Sequence, residues 1–228
     1  GFLIHLYSVE YMAGDEGFSR FFGYMNLFVG SMLTLVLGNN LLLLFLGWEG
    51  VGLCSYLLIG FWYTDPANGT AAQKAFIVTR VGDTAMTVGL FVRFTGFGTL
   101  HIQEILSRAP AEWGMGSGAA IAAAALLLGG AVGKSAQLPL QTWLPDAMAG
   151  PTPTSALIHA ATMVTAGVYL IARMHTVFEL APPVLFAVAV VGLLTLLMAG
   201  FSALTQDDIK RTLAYSTISQ IGYMFLAL

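Results

Sequence analysis

Long apolar runs without a single charged residue constrain the fold of this chain more than any other feature. The run from Phe21 to Trp48 contains no charge, and neither does the run from Ala181 to Gln206. A bilayer core about 30 Å thick is crossed by roughly 20 apolar residues at a rise of about 1.5 Å per residue. In the whole chain 57% of the residues are hydrophobic and 9% are charged, whereas soluble domains carry about 25% charged residues. The sequence therefore predicts a polytopic membrane protein.

The distribution of polar residues favours helices and gives no sign of a nucleic-acid partner. No alternation of apolar and polar residues recurs at the roughly 10-residue spacing of barrel strands, so an all-α bundle is predicted. The net charge of -3 is small and spread along the chain, unlike the charge of a nucleic-acid-binding or polybasic membrane-surface protein. The single cysteine, Cys54, cannot form an internal disulfide.

Turn-forming residues divide the chain into about seven membrane spans and one partial span. The stretch from Phe21 to Tyr63 would be about 65 Å long as one helix, so it must turn once, at Gly38-Asn39-Asn40. The segment 64–70, TDPANGT, is expected to be a loop because of its Pro, Asn and Gly. The other expected elements are the end of a helix at 1–8, a polar loop with Glu10, Asp15, Glu16 and Arg20, spans at 21–37, 41–63, 71–95, 119–148, 152–174, 183–205 and 208 onward, and a short surface helix at 99–107.

The span from Ala119 to Met148 is too long for one straight helix across a membrane. Pro139 and Pro145 fall in its second half, and a proline inside a helix removes one hydrogen bond and clashes with the carbonyl four residues earlier. The sequence therefore predicts a discontinuous helix that is broken between Lys134 and Gln141.

Two local details accompany this break. The prolines are expected to free the carbonyls of Ser135 and Gln141. The following span is expected to begin with Thr152 as N-cap and Pro153 at the first helical position.

The ends of the chain and its loop charges say little about orientation. The chain starts at Gly1 and stops within an apolar run, so we expect it to be a piece of a longer protein. The excess of basic residues on one side of the membrane is small, and it only weakly favours a cytoplasmic location for Lys74. Alternating loops place Arg20, Lys74, Lys210 and Arg211 on one side and Arg93, Arg108 and Arg173 on the other.

Three ionisable residues, Glu49, Lys134 and His159, lie inside the apolar runs. A charge at membrane depth costs several kcal/mol, so each one is a functional hypothesis. The alternative for Glu49 is a structural ion pair with an Arg or Lys elsewhere. The glycines around it, at positions 47, 50 and 52, favour close helix approach and leave room for water or a partner side chain.

A fourth polar feature is the pair Arg80 and Asp83. Their i, i+3 spacing puts them on one helical face, where they could pair with each other. A neutralised pair that packs two helices and a direct part in proton transfer both remain open.

His159 has polar neighbours at helical spacing. Thr152, Ser155, His159, Thr162 and Tyr169 would form a polar stripe on one face of an apolar span. Such a stripe can carry a hydrogen-bonded chain. The alternative is a histidine that is simply satisfied in the core.

Lys134 is not part of a phosphate-binding loop, although GGAVGKSA is similar to G-x-x-x-x-G-K-[ST]. The required first glycine would be residue 128, which is Leu, and the preceding segment is an alanine-rich helix. Burial disfavours the charged form of a lysine and a nearby carboxylate favours it. A lysine whose carboxylate partner can approach and withdraw is therefore a proton-loading switch. Ser135, Gln137 and Gln141 would hold water beside it.

Three long stretches carry a family likeness: GWEGVGLCSYLLIGFWY, GKSAQLPLQTWLPDAMAGPTPTSALIHAATMVTAGVYLIAR and DIKRTLAYSTISQIGYMFLAL. They resemble the largest antiporter-like membrane subunit of respiratory NADH:quinone oxidoreductase, complex I, from about Tyr7 to the end of the chain. Subunits of multisubunit sodium/proton antiporters share KSAQ, WLPDAM and PTP. The stretch 47–63 favours complex I.

The resemblance implies two inverted five-helix repeats, each with a broken helix. Residues 1–20 would be the end of a preceding helix and a loop, 21–174 a complete first repeat, and 183–228 the start of a second. The second repeat would therefore lack its own broken helix and exit lysine.

The resemblance also implies roles for single residues. Glu49 resembles the family's span glutamate, Lys134 its broken-helix lysine, and His159 the histidine that links the half-channel to the second repeat. Asp83 resembles a carboxylate that adjusts the lysine. The supporting residues are Arg80, Asp83, Ser155, Thr162, Gln137, Asp208 and Lys210, and the helix-breaking residues are Pro139 and Pro145.

The implied function is proton translocation by a subunit of a redox-driven NADH:quinone oxidoreductase. No cofactor is expected in this chain, because flavin, iron–sulfur clusters and quinone belong to partner subunits. The expected partners are other membrane subunits, especially a neighbouring antiporter-like one, together with lipids, protons and water, in a bacterial plasma membrane or mitochondrial inner membrane. The alternatives are a sodium/proton antiporter subunit and a purely structural membrane subunit.

Overall fold

Helices and turns make up the structure. The computed structural model describes residues 1–228, and it contains only one isolated bridge, between Asn40 and His101, and no strand. The expected all-α class is confirmed. The α-helices are α1 (Phe2–Tyr11), α2 (Phe18–Leu37), α3 (Leu41–Ile59), α4 (Pro66–Phe97), α5 (Ile102–Glu112), α6 (Gly118–Lys134), α7 (Thr152–Thr154), α8 (Ala166–Arg173), α9 (His175–Glu179), α10 (Pro182–Ala203) and α11 (Ile209–Ala227). A π-helical segment, Ser155–Thr162, and 3₁₀ turns at Asp146–Ala149 and Met163–Thr165 complete the helical elements.

Seven long helical segments match the expected membrane spans. Five of them, namely α2, α3, α4, α10 and the composite segment Thr152–Arg173, are long and apolar enough to cross a membrane by length and composition. Helix α6 is apolar but has only 17 residues, and α11 has 19 residues with more polar side chains. Helix α1, with 10 residues, is the partial span.

Side-chain caps define where four of these helices begin. The carboxylates of Asp65 and Asp208 accept hydrogen bonds from backbone amides in the first turns of α4 and α11, at 2.9 Å and 2.8 Å. Asn40 and Ser117 do the same for α3 and α6. Each cap satisfies a backbone N–H that has no partner within its helix.

The expected loop at 64–70 is wrong for most of its length. Helix α4 starts at Pro66, directly after its N-cap Asp65, and therefore includes most of TDPANGT. A capping aspartate followed by proline at the first position is a helix-start signal. This local chemistry outweighs the turn-like composition of the segment.

Two smaller boundary expectations also differ from the structure. Glu10 lies in α1 and Arg20 in α2, so the polar loop between them is shorter than expected. The surface helix runs from Ile102 to Glu112 rather than over 99–107, and Pro110 lies inside it.

The expected break after Lys134 is confirmed, but no α-helix resumes before Thr152. Residues 135–145 form turns. Their anchors lie on distant elements: Ser135 Oγ donates to Val164 O at 2.7 Å, and Leu138 N donates to Thr195 Oγ1 at 3.0 Å. The interruption is therefore held by tertiary contacts.

The expectation that two carbonyls are left free at this break is wrong. Ser135 O accepts a hydrogen bond from Gln137 Nε2 at 2.9 Å, and Gln141 O accepts one from Leu144 N at 3.3 Å. Buried carbonyls that lose a helical partner are usually paired again by neighbouring groups.

The span that follows is a distorted helix. It starts at Thr152, after Pro151, and Thr152 makes no capping hydrogen bond, so the expected N-cap is wrong by one residue. From Ser155 to Thr162 the helix has π geometry. Such wide turns are frequent at functional sites in helical proteins.

Glycines allow the closest helix contacts. A Cβ atom added at Gly82 on α4 would lie 2.8 Å from Gly129 O on α6, and one added at Gly192 on α10 would lie 2.7 Å from Gly222 O on α11. Distances this short leave no room for a side chain, so these helix pairs pack backbone against backbone.

Basic residues that were expected in loops on one side do lie together at one end of the bundle. Lys74 and Arg211 both pair with Asp146, at 2.5 Å and 3.5 Å. Lys210 Nζ donates to Gly150 O at 3.4 Å. Arg93, in contrast, is not a loop residue but is completely buried within α4.

Candidate functional site

Lys134 and Asp83 form an ion pair inside the helix bundle. Lys134 is the last residue of α6, and Asp83 lies in the middle of α4. The Nζ atom of Lys134 is 3.2 Å from Oδ2 of Asp83, and the two side chains are 0% and 3% exposed. A buried pair of this kind keeps a proton donor and a proton acceptor in direct hydrogen-bond contact.

Trp48 on α3 completes the surroundings of this pair. Its indole Nε1–H donates to the other carboxylate oxygen, Oδ1 of Asp83, at 2.7 Å. The Lys134 ammonium lies 5.9 Å from the centre of the Trp48 ring. Three helices therefore meet at the Asp83 carboxylate.

The absence of a side chain at Gly52 leaves room for the lysine. A Cβ atom added at Gly52 would lie 2.6 Å from Lys134 Nζ. The expectation that glycines near Glu49 leave space for a partner side chain therefore holds at Gly52. At Gly50 an added Cβ would instead meet Ser31 Oγ on α2, also at 2.6 Å.

The partner of Glu49 agrees with one of its two alternatives, an ion pair with an arginine, whereas the mutual pair of Arg80 and Asp83 is wrong. Arg80 does not pair with Asp83 but forms an ion pair with Glu49 on α3. Glu49 therefore has Arg80, and not Lys134, as its ion-pair partner. Arg80 and Glu49 are 42% and 19% exposed and line an open cavity of about 580 Å³ together with Asp83.

His159 is buried between α3 and the segment that follows the break. Its Nε2 atom lies 3.2 Å from Ser55 Oγ, while its Nδ1 atom has no hydrogen-bond partner. The Trp143 ring packs edge-on against the imidazole, with 5.9 Å between ring centres. Trp143 Nε1 donates to Gly133 O at 3.2 Å, so this indole ties His159 to the end of α6.

The expected polar stripe does not form a continuous hydrogen-bonded chain. Thr162 Oγ1 donates to Leu157 O, and Tyr169 Oη donates to Val36 O on α2. Ser155 Oγ is buried without a partner. The π-helical turns change the spacing on which the stripe was based, because residues five apart are neighbours there.

A cavity of about 410 Å³ lies between the π-helical segment and α11. Ser155, His159 and Lys210 line it, together with Gln220 of α11. The structure therefore brings three of the expected site residues to one space. The orphaned Ser155 Oγ and His159 Nδ1 atoms are polar groups that water in such a space would satisfy.

The remaining expected residues have structural contacts. Gln137 is buried and donates to Ser135 O, while its Oε1 atom has no partner. Asp208 caps α11, outside the buried centre. Pro139 lies in the turns after Lys134, and Pro145 directly precedes the 3₁₀ turn Asp146–Ala149.

Three residues at the site were not predicted from the sequence: Trp48, Ser55 and Trp143. A signal existed for the two indoles, because a buried Trp N–H normally needs an acceptor. Trp48 precedes Glu49 in an apolar run, and Trp143 stands between the two prolines of the break. For Ser55 no such signal was present.

Two family models match the chain. One, described as NADH:quinone oxidoreductase/Mrp antiporter, TM, matches residues 38–228. The other, described as NADH-Ubiquinone oxidoreductase (complex I), chain 5 N-terminus, matches residues 1–22.

Individual proteins are similar to the chain over its full length. NADH-quinone oxidoreductase subunit L of Escherichia coli strain K12 is 67% identical over 228 residues, and the protein of the same name from Pseudomonas aeruginosa is 69% identical. The chain spans 37% of the length of each of these curated relatives.

A solved structure has the same fold. The Mrp complex from Dietzia sp. DQ12-45-1b matches with a TM-score of 0.81 and 36% sequence identity, over 90% of this chain and 22% of that chain. The first family model includes Glu49, Asp83, Lys134 and His159 within its matched residues. The chain belongs to the NADH:quinone oxidoreductase/Mrp antiporter transmembrane family.

Proposed function

We propose that this chain is part of a proton-translocating subunit of a redox-driven NADH:quinone oxidoreductase. The observation that carries the proposal is the Lys134–Asp83 ion pair, buried where α6 ends inside the bundle. Ionisable groups at membrane depth are costly and mark ion and proton pathways. An interrupted helix beside them supports transport, because irregular backbone at that depth is tolerated where it lines a cavity.

In this proposal Lys134 is the proton carrier and Asp83 is its counterion. The Glu49–Arg80 pair is a second charged group of the proton path, on α3 and α4. His159 continues the path from Lys134 toward α11. The orphaned Nδ1 atom of His159 and the cavity beside it support this direction. The supporting residues are Gln137, Ser155, Thr162, Asp208 and Lys210.

The surroundings of the chain follow from the same proposal. Residues 21–174 form the first antiporter-like repeat, and 183–228 begin the second. Other membrane subunits, including a neighbouring antiporter-like one, surround it in a bacterial plasma membrane. The relatives named subunit L support this, since a lettered subunit implies a larger assembly. Flavin, iron–sulfur clusters and quinone belong to those partner subunits.

The test replaces Lys134 by arginine in the full-length subunit within the assembled enzyme. Arginine keeps the charge but has no accessible deprotonated state, since its guanidinium stays protonated in proteins. A proton carrier must fail with arginine, whereas a structural cation would be served by it. We expect Lys134→Arg to assemble and to lower the proton-to-electron ratio in reconstituted vesicles, with the NADH oxidation rate as internal control.

Lys74→Arg is a matched control. Lys74 also pairs with an aspartate, Asp146, but its side chain is 41% exposed, so arginine can replace it without loss of pumping. If Lys134→Arg pumps like the parent enzyme, Lys134 is a helix-packing charge and the structural interpretation of the site is favoured.

The second candidate function is that of a sodium/proton antiporter subunit. The 36% identity to the Mrp complex structure favours it. Sodium and proton fluxes in vesicles, measured with and without NADH, separate the two functions. Proton movement that depends on NADH and not on a sodium gradient supports the redox-driven enzyme, and sodium-dependent proton movement without NADH supports the antiporter.

A further inference from the structure

Arg93 is a buried cation that the proposed proton path does not use. It lies near the end of α4 and is 0% exposed. Its Nη1 atom donates to Gly89 O at 2.7 Å, and its Nη2 atom donates to Ala123 O on α6 at 2.8 Å. Its Nε atom has no partner. None of the ion pairs in the structure includes Arg93.

The two hydrogen bonds alone do not explain an arginine at this position. A neutral amide side chain can also donate to a backbone carbonyl, and it avoids the cost of burying a charge without a counterion. The positive charge of Arg93 is therefore the property that calls for a function. Arginine holds such a charge permanently.

The position of Arg93 along α4 relates it to the buried pair. Lys74 lies near one end of α4, Asp83 near its middle and Arg93 near the other end. At about 1.5 Å per residue, Asp83 is about 13 Å from Lys74 and about 15 Å from Arg93 along the helix axis. Arg93 thus lies about three turns from Asp83 along α4, on the side away from the Lys74–Asp146 cluster, and its guanidinium reaches back one turn to Gly89 O.

The two sides of Lys134 differ in polarity. Toward Lys74 and Asp146 the chain forms turns and contains two buried side-chain oxygens without partners, Gln137 Oε1 and Gln141 Oε1. Such atoms attract water.

Toward Arg93 the helices α4 and α6 pack tightly. A Cβ atom added at Gly129 would lie 2.8 Å from the Ala85 side chain, and one added at Gly89 would lie 3.1 Å from that of Leu126. This interface is apolar, and Arg93 bridges it where Ala123 accepts its hydrogen bond. A cation that moved along the α4–α6 interface toward Lys134 would have to pass the guanidinium.

We propose that Arg93 is an electrostatic seal, a fixed positive charge that keeps protons and other small cations from crossing the α4–α6 interface to Lys134. An arginine in a membrane pore is one of the electrostatic barriers that exclude protons and other cations. The proposal rests on the proposed function, because a seal matters only beside an ion path. Lys134 is then reached from the Lys74–Asp146 end alone.

The test measures passive proton leak into proteoliposomes that contain the assembled enzyme, after an external acid pulse and without NADH. Arg93→Gln keeps a hydrogen-bond donor and removes the charge, and Arg93→Lys keeps the charge. We expect the glutamine variant to leak at least about fivefold faster than the parent and the lysine variant to match the parent. A unit charge about 15 Å away, the axial separation of the two residues, changes the occupancy of a second charge by roughly this factor at an effective dielectric constant of about 20, and the guanidinium is nearer than that because it reaches back to Gly89 O. The proposal is wrong if Arg93→Gln leaks no faster than the parent, or if Arg93→Lys leaks as fast as Arg93→Gln.

A second pair of variants leaves Arg93 in place, in case its replacement prevents assembly. Leu90 is buried one turn away, at i−3, so Leu90→Glu supplies a carboxylate that neutralises the guanidinium, and Leu90→Gln is the uncharged control. The seal requires more leak in Leu90→Glu than in Leu90→Gln, and equal leak contradicts it. NADH-driven pumping by the parent is measured separately. Its absence would refute the proposed function while the leak result still stands.

Discussion

The carboxylate of Asp83, rather than that of Glu49, faces the ammonium of Lys134, and the two atoms are 3.2 Å apart in a fully buried site. Glu49 instead pairs with Arg80 on the same face of the bundle as the open cavity of about 580 Å³. The four charged groups thus form two separate ion pairs, one buried and one partly exposed. Their mutational consequences should differ accordingly.

Asp83→Asn is expected to impair pumping more than Glu49→Gln. Removal of one partner of a buried pair leaves an uncompensated charge and costs about 3–5 kcal/mol, whereas a partly exposed pair contributes about 1 kcal/mol or less. The proton-to-electron ratio and the amount of assembled enzyme on native gels are the measurements. An equal or greater effect of Glu49→Gln would show that Glu49 governs the lysine from a distance.

Gly52→Ala should lower pumping without preventing assembly. The added methyl group would lie 2.6 Å from Lys134 Nζ, so the flexible end of the lysine must move away from Asp83. Gly30→Ala is the matched control, because an added Cβ at Gly30 meets nothing within 4 Å. The prediction fails if both alanine variants pump like the parent enzyme.

Trp48→Phe is expected to slow pumping by less than Asp83→Asn does. The change removes one hydrogen bond to a buried carboxylate, worth about 1.5–3 kcal/mol, and keeps most of the ring. Trp62→Phe provides the control, because Trp62 Nε1 also donates to a carboxylate, that of Asp15 at 2.8 Å, but in an exposed loop. Equal pumping in the two variants would remove Trp48 from the site.

His159→Met should reduce pumping less than Lys134→Met. His159 contacts only Ser55 through a hydrogen bond, and the adjoining cavity of about 410 Å³ has room for water. Bridging water can replace a missing side chain in a hydrogen-bonded chain. Initial rates of vesicle acidification compare the two variants, and equal losses would mean that His159 is itself an obligatory proton carrier.

Much of the fold was predictable because its signals are local. The Pro139 position and the excessive length of the span together predicted where α6 ends, and Asp208 correctly marked the start of α11. The start of α4 was missed although Asp65 and Pro66 indicate it, since aspartate and proline are also common in turns.

The partners of the charged residues were not predictable from one sequence. Arg80 and Asp83 lie three residues apart, and their spacing permits a mutual pair. Arg80 nevertheless pairs with Glu49 on α3, and Asp83 pairs with Lys134 on α6. The rotation of those helices about their own axes decides which group is in reach. Periodicity within one helix carries no information about that rotation. The π-helical segment was missed for a related reason, since its residues also fit an ordinary helix.

The tertiary anchoring of the segment after Lys134 limits how this protein can be recombined with its relatives. Val164 and Thr195 hold the segment through Ser135 Oγ and the amide of Leu138. A chimaera that exchanged residues 129–148 alone would find the backbone carbonyl of position 164 in any recipient, but it would depend on the recipient for the Thr195 hydroxyl. The junction of a chimaera should therefore lie beyond residue 195, so that the broken helix and both of its anchors come from the same parent protein.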